Sequence, residues 1–390
     1  MQRKKILFVY YTMMLGGSTT SLLSLLEKFD YDKYEVDLLL YRNEGPYINY
    51  IPPNVNLLSQ ACIVNNRVKQ ILKTCANGSL PRAYFHGIKY RKKIKPMIQS
   101  MAYAQLSFCR KLDKQYDVAI GFMELWSDVY VNECVNAKKK ISWVHVDFEK
   151  AHFISDIDRK MFAKSDHIVN VSTECMENFI SSFPELEDKC CCIENILTKQ
   201  FIHQRASNAQ SIELDLDKDS LNLLSVCRLA IDHKGLDRGV NVIKRLKEEG
   251  NPVKWYIAGD GADKQKLVEL IRENGLEEDI ILIGMLECPY PIFEKFDLFF
   301  LPSRFEGKPM AVTEAFMLGL PPIVANYASA KEQIRHGVDG IIADNSEEGI
   351  YEALKKICLD REILKQLKIN VDTSDYDNLD QIDKIYNLFE

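Results

Sequence analysis

The chain has 390 residues and a formal net charge of −6 at pH 7, and 46% of its residues are hydrophobic and 27% charged. Its length exceeds that of one ordinary core and predicts two domains, while its composition excludes wholesale disorder. There is no apolar leader with a cleavage site and no apolar run of about 18 residues, so the sequence predicts neither a secretory signal nor a membrane span.

The first half of the chain alternates strand-like and helix-like segments. An apolar strand at 5–11 leads into Gly16-Gly17, after which Ser18-Thr19-Thr20 can cap a helix. Continuous apolar runs predict further strands at 34–41, 116–122, 140–146 and 167–171. Such runs are typical of strands covered on both faces, so they indicate a parallel α/β sheet.

Positive charge is concentrated between residues 67 and 114, where twelve Lys or Arg stand against one acidic residue. This concentration on an acidic chain implies a specific anionic partner. Its central cations alternate with apolar and aromatic residues, which favours an anionic membrane surface or a lipid-diphosphate acceptor. A solvated helix face is the alternative, and we expect no nucleic acid as partner. The cations are Lys89, Arg91, Lys92, Lys93 and Lys95.

A polar, acidic stretch at 206–219 separates the two halves, and we interpret it as a linker. A second α/β series follows, and periodic apolar positions at 379–389 predict a terminal helix. Two doubly wound domains would bind ligands at the carboxyl ends of their strands, in the cleft between them. The second-half predictions are strands at 221–227, 253–258, 280–283, 298–301 and 322–325 and helices at 236–249 and 263–274.

Two motifs in the first half follow predicted strands. Gly16-Gly17 would let the backbone approach a phosphate at a helix start, although a tight turn selects glycine as well. His145 ends an apolar strand and can hydrogen-bond a sugar hydroxyl, or it can be a structural histidine. The G-x-G-x-x-G spacing of dinucleotide-binding folds is missing here, which counts against a dehydrogenase.

Two motifs in the second half carry charge. Arg228 leaves a predicted strand and Lys234 precedes a helix, so they offer two cations for a diphosphate unless both are merely solvated. Glu306 lies in a loop before Pro309, and Glu314 follows in the next predicted helix. Carboxylates accept hydrogen bonds from vicinal hydroxyls, but two such glutamates alone would usually belong to a solvated face.

Taken together, these motifs resemble those of the family-4 retaining glycosyltransferases, in particular the bacterial capsule, exopolysaccharide and lipopolysaccharide enzymes. Gly259 matches a glycine turn of that family, Met285 its base-contacting loop, and Glu306 to Glu314 its paired-glutamate motif. The resemblance covers nearly the whole chain. It implies the α/β fold named GT-B, with two Rossmann-like doubly wound domains facing a central cleft and a terminal helix packing back on the first domain.

The resemblance also implies roles for these residues. Glu306, His145, Arg228 and Lys234 would be catalytic, with Glu306 holding the transferred sugar and the two cations the diphosphate. Glu314 would bind the ribose hydroxyls. The other donor-binding residues would be Gly16, Gly17, Gly259, Met285, Gly307, Lys308, Pro309, Met310 and Ala311.

No metal or other cofactor is expected, because cations and helix termini would stabilise the departing nucleotide. Asp215-Leu216-Asp217 resembles the metal-binding motif of another glycosyltransferase fold, but it precedes a strand rather than following one. The eleven cysteines are odd in number and scattered, which indicates reduced thiols rather than disulfides or a zinc site.

The resemblance therefore implies a retaining, metal-independent hexosyltransferase that moves a sugar from a nucleotide-sugar, UDP-linked by preference, to a saccharide acceptor. The resemblance favours an acceptor linked to a polyprenyl diphosphate, in the biosynthesis of a cell-surface polysaccharide, although some members of the family use soluble sugars. The protein would then be cytoplasmic, at the inner face of the membrane. A GT-B epimerase and a non-catalytic partner subunit are the alternatives. The predicted domains are 1–205 for the acceptor, 206–370 for the nucleotide-sugar and 371–390 for the terminal helix.

Overall fold

The protein is described by a computed structural model, which covers residues 3–64, 66–76, 78, 89, 94–209, 213–372 and 376–390. It divides into two compact units. The first comprises Met1–Ile196 together with Leu379–Glu390, and the second comprises Leu197–Asn378.

The first unit is built on a seven-stranded parallel sheet whose strand order is β3-β2-β1-β4-β5-β6-β7. The order reverses between β1 and β4, as in a doubly wound fold. The apolar runs predicted from the sequence form its central strands, because helices cover both faces of a parallel sheet. The strands are β1 Lys4–Tyr10, β2 Tyr34–Leu40, β3 Asn56–Leu57, β4 Tyr116–Gly121, β5 Ala137–Val144, β6 His167–Asn170 and β7 Cys190–Cys192.

Helices follow most of these strands, and their apolar faces complete the core of the first unit. Its largest fully buried side chains include Trp126, Trp143 and Phe8. The helices before the second unit are α1 Gly17–Glu27, α2 Arg67–Ala76, α3 Ile94–Gln105, α4 Trp126–Cys134, α5 Ser155–Phe162 and α6 Thr173–Ser182, with short 3-10 helices at Pro46–Tyr50, Leu106–Phe108 and Pro184–Lys189.

The terminal helix Gln381–Asn387 belongs to the first unit. The Tyr386 ring stacks on Tyr34 at 5.1 Å, and its hydroxyl accepts the Asp30 N–H at 2.7 Å. Phe389 adds an edge contact to Tyr34. These aromatic contacts confirm the prediction that the C-terminal helix packs on the first domain.

The second unit contains a six-stranded parallel sheet of order β10-β9-β8-β11-β12-β13, which reverses between β8 and β11. Trp255 and Phe300 meet edge-on in its core, with ring centroids 5.1 Å apart. The strands are β8 Leu221–Val226, β9 Val253–Ala258, β10 Ile280–Gly284, β11 Leu298–Leu301, β12 Pro322–Ala325 and β13 Ile341–Ala343. The helices are α7 Lys199–Asn208, α8 Ile231–Lys234, α9 Leu236–Glu248, α10 Lys264–Glu273, α11 Tyr290–Phe293, α12 Met310–Met317, α13 Ala330–Gln333, α14 Glu347–Leu359 and α15 Arg361–Asp372.

The bounds of the units differ from the predicted ones. Residues 197–205 were predicted to lie in the first domain, but they open the second unit and include most of α7. The predicted linker at 206–219 overlaps the last turn of that helix. A polar segment can still form a helix when packing supports it. The composition of the sequence therefore placed the boundary between the domains too far along the chain.

Within the described residues, no helix is long and apolar enough to cross a membrane. All eleven cysteines have free thiols.

Candidate active site

The two strands at the switch point of the second unit, β8 and β11, lie side by side, with Leu298 paired to Leu223. Ligands of doubly wound sheets bind beyond the carboxyl ends of strands at such a point. Arg228 follows β8, Lys234 ends α8, and Glu306 follows β11. The structure therefore places these three predicted site residues at one edge of the sheet.

Glu306 is the centre of a hydrogen-bonded cluster. Its Oε1 accepts from Lys234 Nζ and from Ser303 Oγ, both at 2.6 Å. Its Oε2 lies 3.6 Å from Nε2 of His233. Glu306 is only 7% exposed. The carboxylate is thus shielded from solvent, with one oxygen fully engaged and the other facing an imidazole.

The charge of Glu306 follows from these contacts. Burial alone raises the pKa of a carboxyl group, because it penalises the charged form. For Glu306 this effect is outweighed by the Lys234 ammonium and the His233 ring, which lower the pKa to about 2. Glu306 is therefore a carboxylate at neutral pH, and it accepts hydrogen bonds without donating them.

Two further contacts fasten the loop around Glu306. The His233 ring stacks on Phe305, with centroids 4.2 Å apart and planes within 5°. Arg304 forms a bidentate ion pair with Asp237, at 2.8 and 2.7 Å. Such forked pairs fix geometry as well as charge. Because His233 and Asp237 both follow β8, the loop after β11 is tied to that segment on either side of Glu306.

Helix α12 begins directly after Pro309, and no side chain caps it. The first N–H groups of a helix lack partners within the helix, and together with the helix dipole they favour an anion. The predicted donor-binding residues Met310 and Ala311 form this first turn. Gly307 and Lys308 lie in the loop that leads to it.

Glu314 lies further along α12 and is 6% exposed. It has a different environment from Glu306, because its Oε1 accepts from the Tyr290 hydroxyl at 3.1 Å. Burial raises the pKa of Glu314 to about 7, although Tyr290 and Arg205 oppose the rise. At neutral pH the two glutamates of the motif therefore differ in charge: Glu306 is ionised, whereas Glu314 is close to the midpoint of its titration.

Two glycines close the backbone around this edge. Gly235 has φ of 62°, and a Cβ there would lie 2.0 Å from the Pro302 carbonyl oxygen. Gly259 has φ of 150°, and a Cβ there would lie 1.9 Å from the Cys227 carbonyl oxygen. Both positions therefore require glycine. Met285, which follows β10, is 52% exposed.

In the first unit, α1 begins at Gly17 with Gly16 as its N-cap, and no side chain caps it. The capping role predicted for Ser18 and Thr19 is wrong. Their hydroxyls instead contact the Tyr10 hydroxyl, at 2.7 and 3.1 Å. The consequence is that the first N–H groups of α1 stay uncapped, as they do in α12, and a Cβ at Gly16 would meet open space.

His145 follows β5 and packs against the Phe122 ring, with centroids 5.2 Å apart. Burial lowers the pKa of His145 to about 4, despite a hydrogen bond to the Phe122 backbone. The imidazole is therefore neutral at neutral pH. Its buried Nε2 has no hydrogen-bond partner among the described residues.

The remaining sequence predictions concern cations and metals. Arg91, Lys92 and Lys93 lie outside the described residues, as does the side chain of Lys95, whereas Lys89 is exposed. Across the described parts of the chain, no group of three or more His, Cys, Asp or Glu side chains could hold a metal ion. Asp217, from the rejected metal motif, accepts hydrogen bonds from its own turn.

Comparison with known proteins bears on this edge of the second unit. Residues 207–373 match the family model described as glycosyl transferases group 1. The match includes both glutamates and both predicted phosphate cations. Over this segment the chain is similar to the group 1 glycosyl transferases. This similarity supports the resemblance drawn from the motifs of the second unit.

Two relatives differ in how much of their length is similar to this chain. An uncharacterized glycosyltransferase of Methanocaldococcus jannaschii is 29% identical over 45% of this chain, and the match spans only 43% of that relative. A Campylobacter jejuni enzyme is 24% identical over 94% of this chain and 93% of its own length. The printed name of the latter is N-acetylgalactosamine-N,N'-diacetylbacillosaminyl-diphospho-undecaprenol 4-alpha-N-acetylgalactosaminyltransferase.

Among solved structures, Anabaena HepE in complex with UDP is similar to this chain. The two share 15% identity, each is covered to 98%, and the TM-score is 0.66. This likeness concerns the fold, and it confirms the predicted GT-B class.

Several residues that contact Glu306 and Glu314 were not singled out from the sequence. Ser303 and His233 stand close to Glu306, and Tyr290 contacts Glu314. Two of them had a readable signal, because His233 directly precedes Lys234 and Ser303 lies shortly before Glu306 in the sequence. Tyr290 had none, since it reaches Glu314 from the separate helix α11.

Proposed function

We propose that this glycosyltransferase moves a sugar from a UDP-sugar to a saccharide acceptor in the assembly of a bacterial surface saccharide. The observation that carries the proposal is the Glu306 cluster at the switch point of the second unit. A buried carboxylate with one oxygen turned towards His233 offers an acceptor for sugar hydroxyls. The cation and the uncapped helix beside it favour a phosphate.

The nucleotide would lie along the same edge. Glu314 would accept hydrogen bonds from the ribose hydroxyls, and the loops at Gly259 and Met285 would line the base. UDP is our choice of nucleotide because a structural relative was solved in complex with it. Since the pKa of Glu314 is about 7, nucleotide binding should strengthen as pH rises from 6 to 8.

The diphosphate would be held by Arg228, Lys234 and the first turn of α12. Charge that develops on the leaving phosphate would be stabilised by these fixed groups, so transfer should need no metal ion. In the first unit, the uncapped start of α1 at Gly16 and Gly17 would suit a phosphate, and the His145 ring would suit a sugar hydroxyl. Transfer that persists undiminished in EDTA would support this reading, and loss that magnesium restores would contradict it.

We propose retention of anomeric configuration, with the leaving phosphate taking the proton of the acceptor hydroxyl on the same face. The Campylobacter relative forms an α linkage by its printed name, and an α-linked donor would give that product by retention. The anomeric configuration of the product, measured by NMR, tests this. A β-linked product from an α-linked donor would refute retention.

The central experiment is a transfer assay over a panel of UDP- and GDP-sugars with wild type and Glu306→Ala. We expect transfer to vanish in the variant while UDP binding remains measurable. Glu362→Ala, on a glutamate whose side chain is 76% exposed, is the matched control and should behave as wild type. Undiminished turnover by Glu306→Ala would sink the proposal. Epimerised donor without transfer would identify an epimerase, and no turnover with any donor a non-catalytic partner.

For the acceptor, we propose a saccharide linked to a lipid diphosphate, presented at the inner face of the cell membrane. The Campylobacter relative is named for an undecaprenol-linked acceptor. Helix α2 adds support, because Val68, Ile71 and Leu72 on one of its faces are 64%, 56% and 62% exposed. Apolar side chains beside cations suit the boundary of an anionic bilayer.

Membrane contact can be tested by co-sedimentation with vesicles of phosphatidylglycerol and of phosphatidylcholine. Reversing the charges of Lys92, Lys93 and Lys95 should abolish binding to the anionic vesicles, and Leu72→Asp should weaken it. Lys365→Glu, at a side chain of the second unit that is 68% exposed, controls for overall charge. Unchanged binding by both test variants would refute membrane contact through the basic region between residues 67 and 114.

A further inference from the structure

In the first unit, the loop after β4 reaches across to the end of β5. Glu124 Oε2 in this loop accepts the His145 main-chain N–H at 3.0 Å. Asp128, at the start of α4, accepts the Trp143 N–H at 3.3 Å. Two acidic side chains therefore hold the main chain of Trp143 and His145 at the carboxyl end of β5, beside the switch point between β1 and β4.

The residue after Glu124 has an unusual backbone. Leu125 has φ of 73° and ψ of −123°, and it is one of two non-glycine residues with positive φ in the described chain. Such a conformation costs about 1–3 kcal/mol and persists where the surroundings impose it. At Leu125 this conformation turns the chain from Glu124 directly into α4. The hydrogen bonds that Glu124 and Asp128 accept from the end of β5 offset its cost.

The hydrogen bond from the His145 N–H to Glu124 fixes the backbone that carries the His145 ring. The imidazole packs on the Phe122 and Trp143 rings, at 5.2 and 6.4 Å between centroids. One ring nitrogen hydrogen-bonds the Phe122 backbone, and Nε2 is buried without a hydrogen-bond partner in the part of the chain that the structure describes. A neutral imidazole that donates from Nδ1 keeps a lone pair on Nε2. His145 therefore presents an acceptor, which suits a hydroxyl group and not a phosphate oxygen.

We propose that Glu124 is a positioning residue for His145. By fixing the main chain at the end of β5, its carboxylate keeps the imidazole packed against the Phe122 and Trp143 rings, with Nε2 left as an acceptor for a ligand hydroxyl. Glu124 acts through His145 and through the backbone, without itself touching the transferred group. The consequence for transfer rests on the proposed function, whereas the placement of the imidazole does not.

The test compares Glu124→Ala with Glu124→Gln in the full chain. The alanine variant removes the acceptor for the His145 N–H, whereas the glutamine variant keeps a carbonyl oxygen at the same place. Asp166→Ala is the matched control, because Asp166 Oδ2 accepts the Lys140 N–H at 2.7 Å in the middle of the same strand, away from His145. Two readouts are taken, an NMR titration of the His145 ring and the rate of sugar transfer.

We expect the pKa of His145 to be near 4 in wild type and to rise towards about 6.5 in Glu124→Ala, as the ring gains access to water. Loss of a nearby negative charge alone would lower the pKa, so a rise identifies the loss of position. Transfer should fall about a hundredfold, with UDP binding unchanged. Glu124→Gln and Asp166→Ala should resemble wild type. Burial raises the pKa of Tyr10 and of Asp128, both of which interact electrostatically with Glu124.

An unchanged His145 titration in Glu124→Ala would overturn the proposal, even if transfer were lost. Equal titration shifts in Glu124→Ala and Asp166→Ala would also overturn it, because the effect would then be general to the strand. If the alanine variant fails to fold, Glu124→Asp replaces it, since its shorter side chain withdraws the carboxylate from the N–H. A shifted titration in a protein whose wild type transfers no sugar would retain the positioning role and refute the proposed function.

Discussion

Removing the ammonium group that faces Glu306 is the most direct way to test the candidate site. Lys234→Met keeps an apolar stem of similar length and deletes the contact at 2.6 Å to Glu306. Both side chains are shielded, with exposed fractions of 14% for Lys234 and 8% for Glu306. Breaking a buried pair from one side leaves an uncompensated charge, which costs about 3–5 kcal/mol. We therefore expect the second unit to lose about 3 kcal/mol of unfolding free energy at pH 7.

The pKa of Glu306 gives a second estimate of how much its charged contacts contribute to the unfolding free energy. A glutamate titrates near 4.3 in unfolded chains, and Glu306 titrates at about 2. At about 1.4 kcal/mol per pKa unit, the difference corresponds to about 3 kcal/mol. Because the folded pKa is lowered, this stability is present above about pH 4.3 and is lost as the pH falls towards 2. In Lys234→Met, burial would raise the pKa of Glu306, so the deficit should shrink on acidification below about pH 5.

The assay is hydrogen exchange of the full chain in urea, followed by mass spectrometry on peptides from β8 and β11. It reports the second unit separately, which matters because a two-domain chain does not unfold in one step. The double variant Lys234→Met/Glu306→Gln should recover about 2 kcal/mol relative to the sum of the single variants. Lys247→Met is the matched control. Its partner Asp279 lies at 2.5 Å, but Lys247 is 50% exposed, so that pair should contribute below about 1 kcal/mol.

A coupling below about 0.5 kcal/mol between Lys234 and Glu306 would refute this reasoning. A deficit that grows on acidification would refute it as well, because it would mean that the carboxylate is not the destabilised group.

Two further predictions concern the same unit. Burial raises the pKa of Glu314 to about 7, so the folded chain favours the protonated form and loses stability as pH rises from about 4.3 to 7; Glu314→Gln should therefore raise the unfolding temperature at pH 8 and not at pH 4, and a fall at pH 8 would contradict this. Gly259→Ala should lower the unfolding temperature sharply, because its Cβ would lie 1.9 Å from the Cys227 carbonyl oxygen. Gly250→Ala, where a Cβ meets nothing within 4 Å at φ of 77°, should cost only about 1 kcal/mol; equal losses would refute the steric argument.

Much of the fold could be predicted from the sequence, because a parallel sheet buried on both faces produces long apolar runs. The strands at Val253–Ala258, Leu298–Leu301 and Pro322–Ala325 have the predicted bounds. The start of the second unit could not be predicted in this way. Helix α7 is polar in composition and is fixed by its packing against α11 and α12, which a reading of local sequence does not contain.

In the candidate site, the positions of the residues could be predicted from the sequence, but their charge states could not. The positions of Arg228, Lys234 and Glu306 follow from the rule that loops at the carboxyl ends of adjacent strands meet. Their electrostatic states do not follow from that rule, because Glu306 and Glu314 have similar burial and pKa values of about 2 and about 7. The difference arises because the Lys234 ammonium and the His233 ring outweigh burial at Glu306, whereas burial prevails at Glu314 despite the Tyr290 hydroxyl and Arg205. The Lys234 and Tyr290 contacts both join segments distant in sequence.

The pairing of Lys234 with Glu306 has a consequence for the proposed diphosphate site. Arg228 is exposed at the end of β8, whereas Lys234 already shares its charge with a carboxylate. A diphosphate would therefore be attracted more strongly by Arg228 and the first amides of α12 than by Lys234, whose charge Glu306 partly neutralises. Glu306→Gln should release Lys234 and tighten UDP binding about tenfold, since a charge-assisted hydrogen bond contributes about 1.5–3 kcal/mol. It should at the same time slow sugar transfer. Calorimetric titration with UDP measures the affinity, and weaker binding by Glu306→Gln would place the carboxylate in contact with the nucleotide instead of in competition with it.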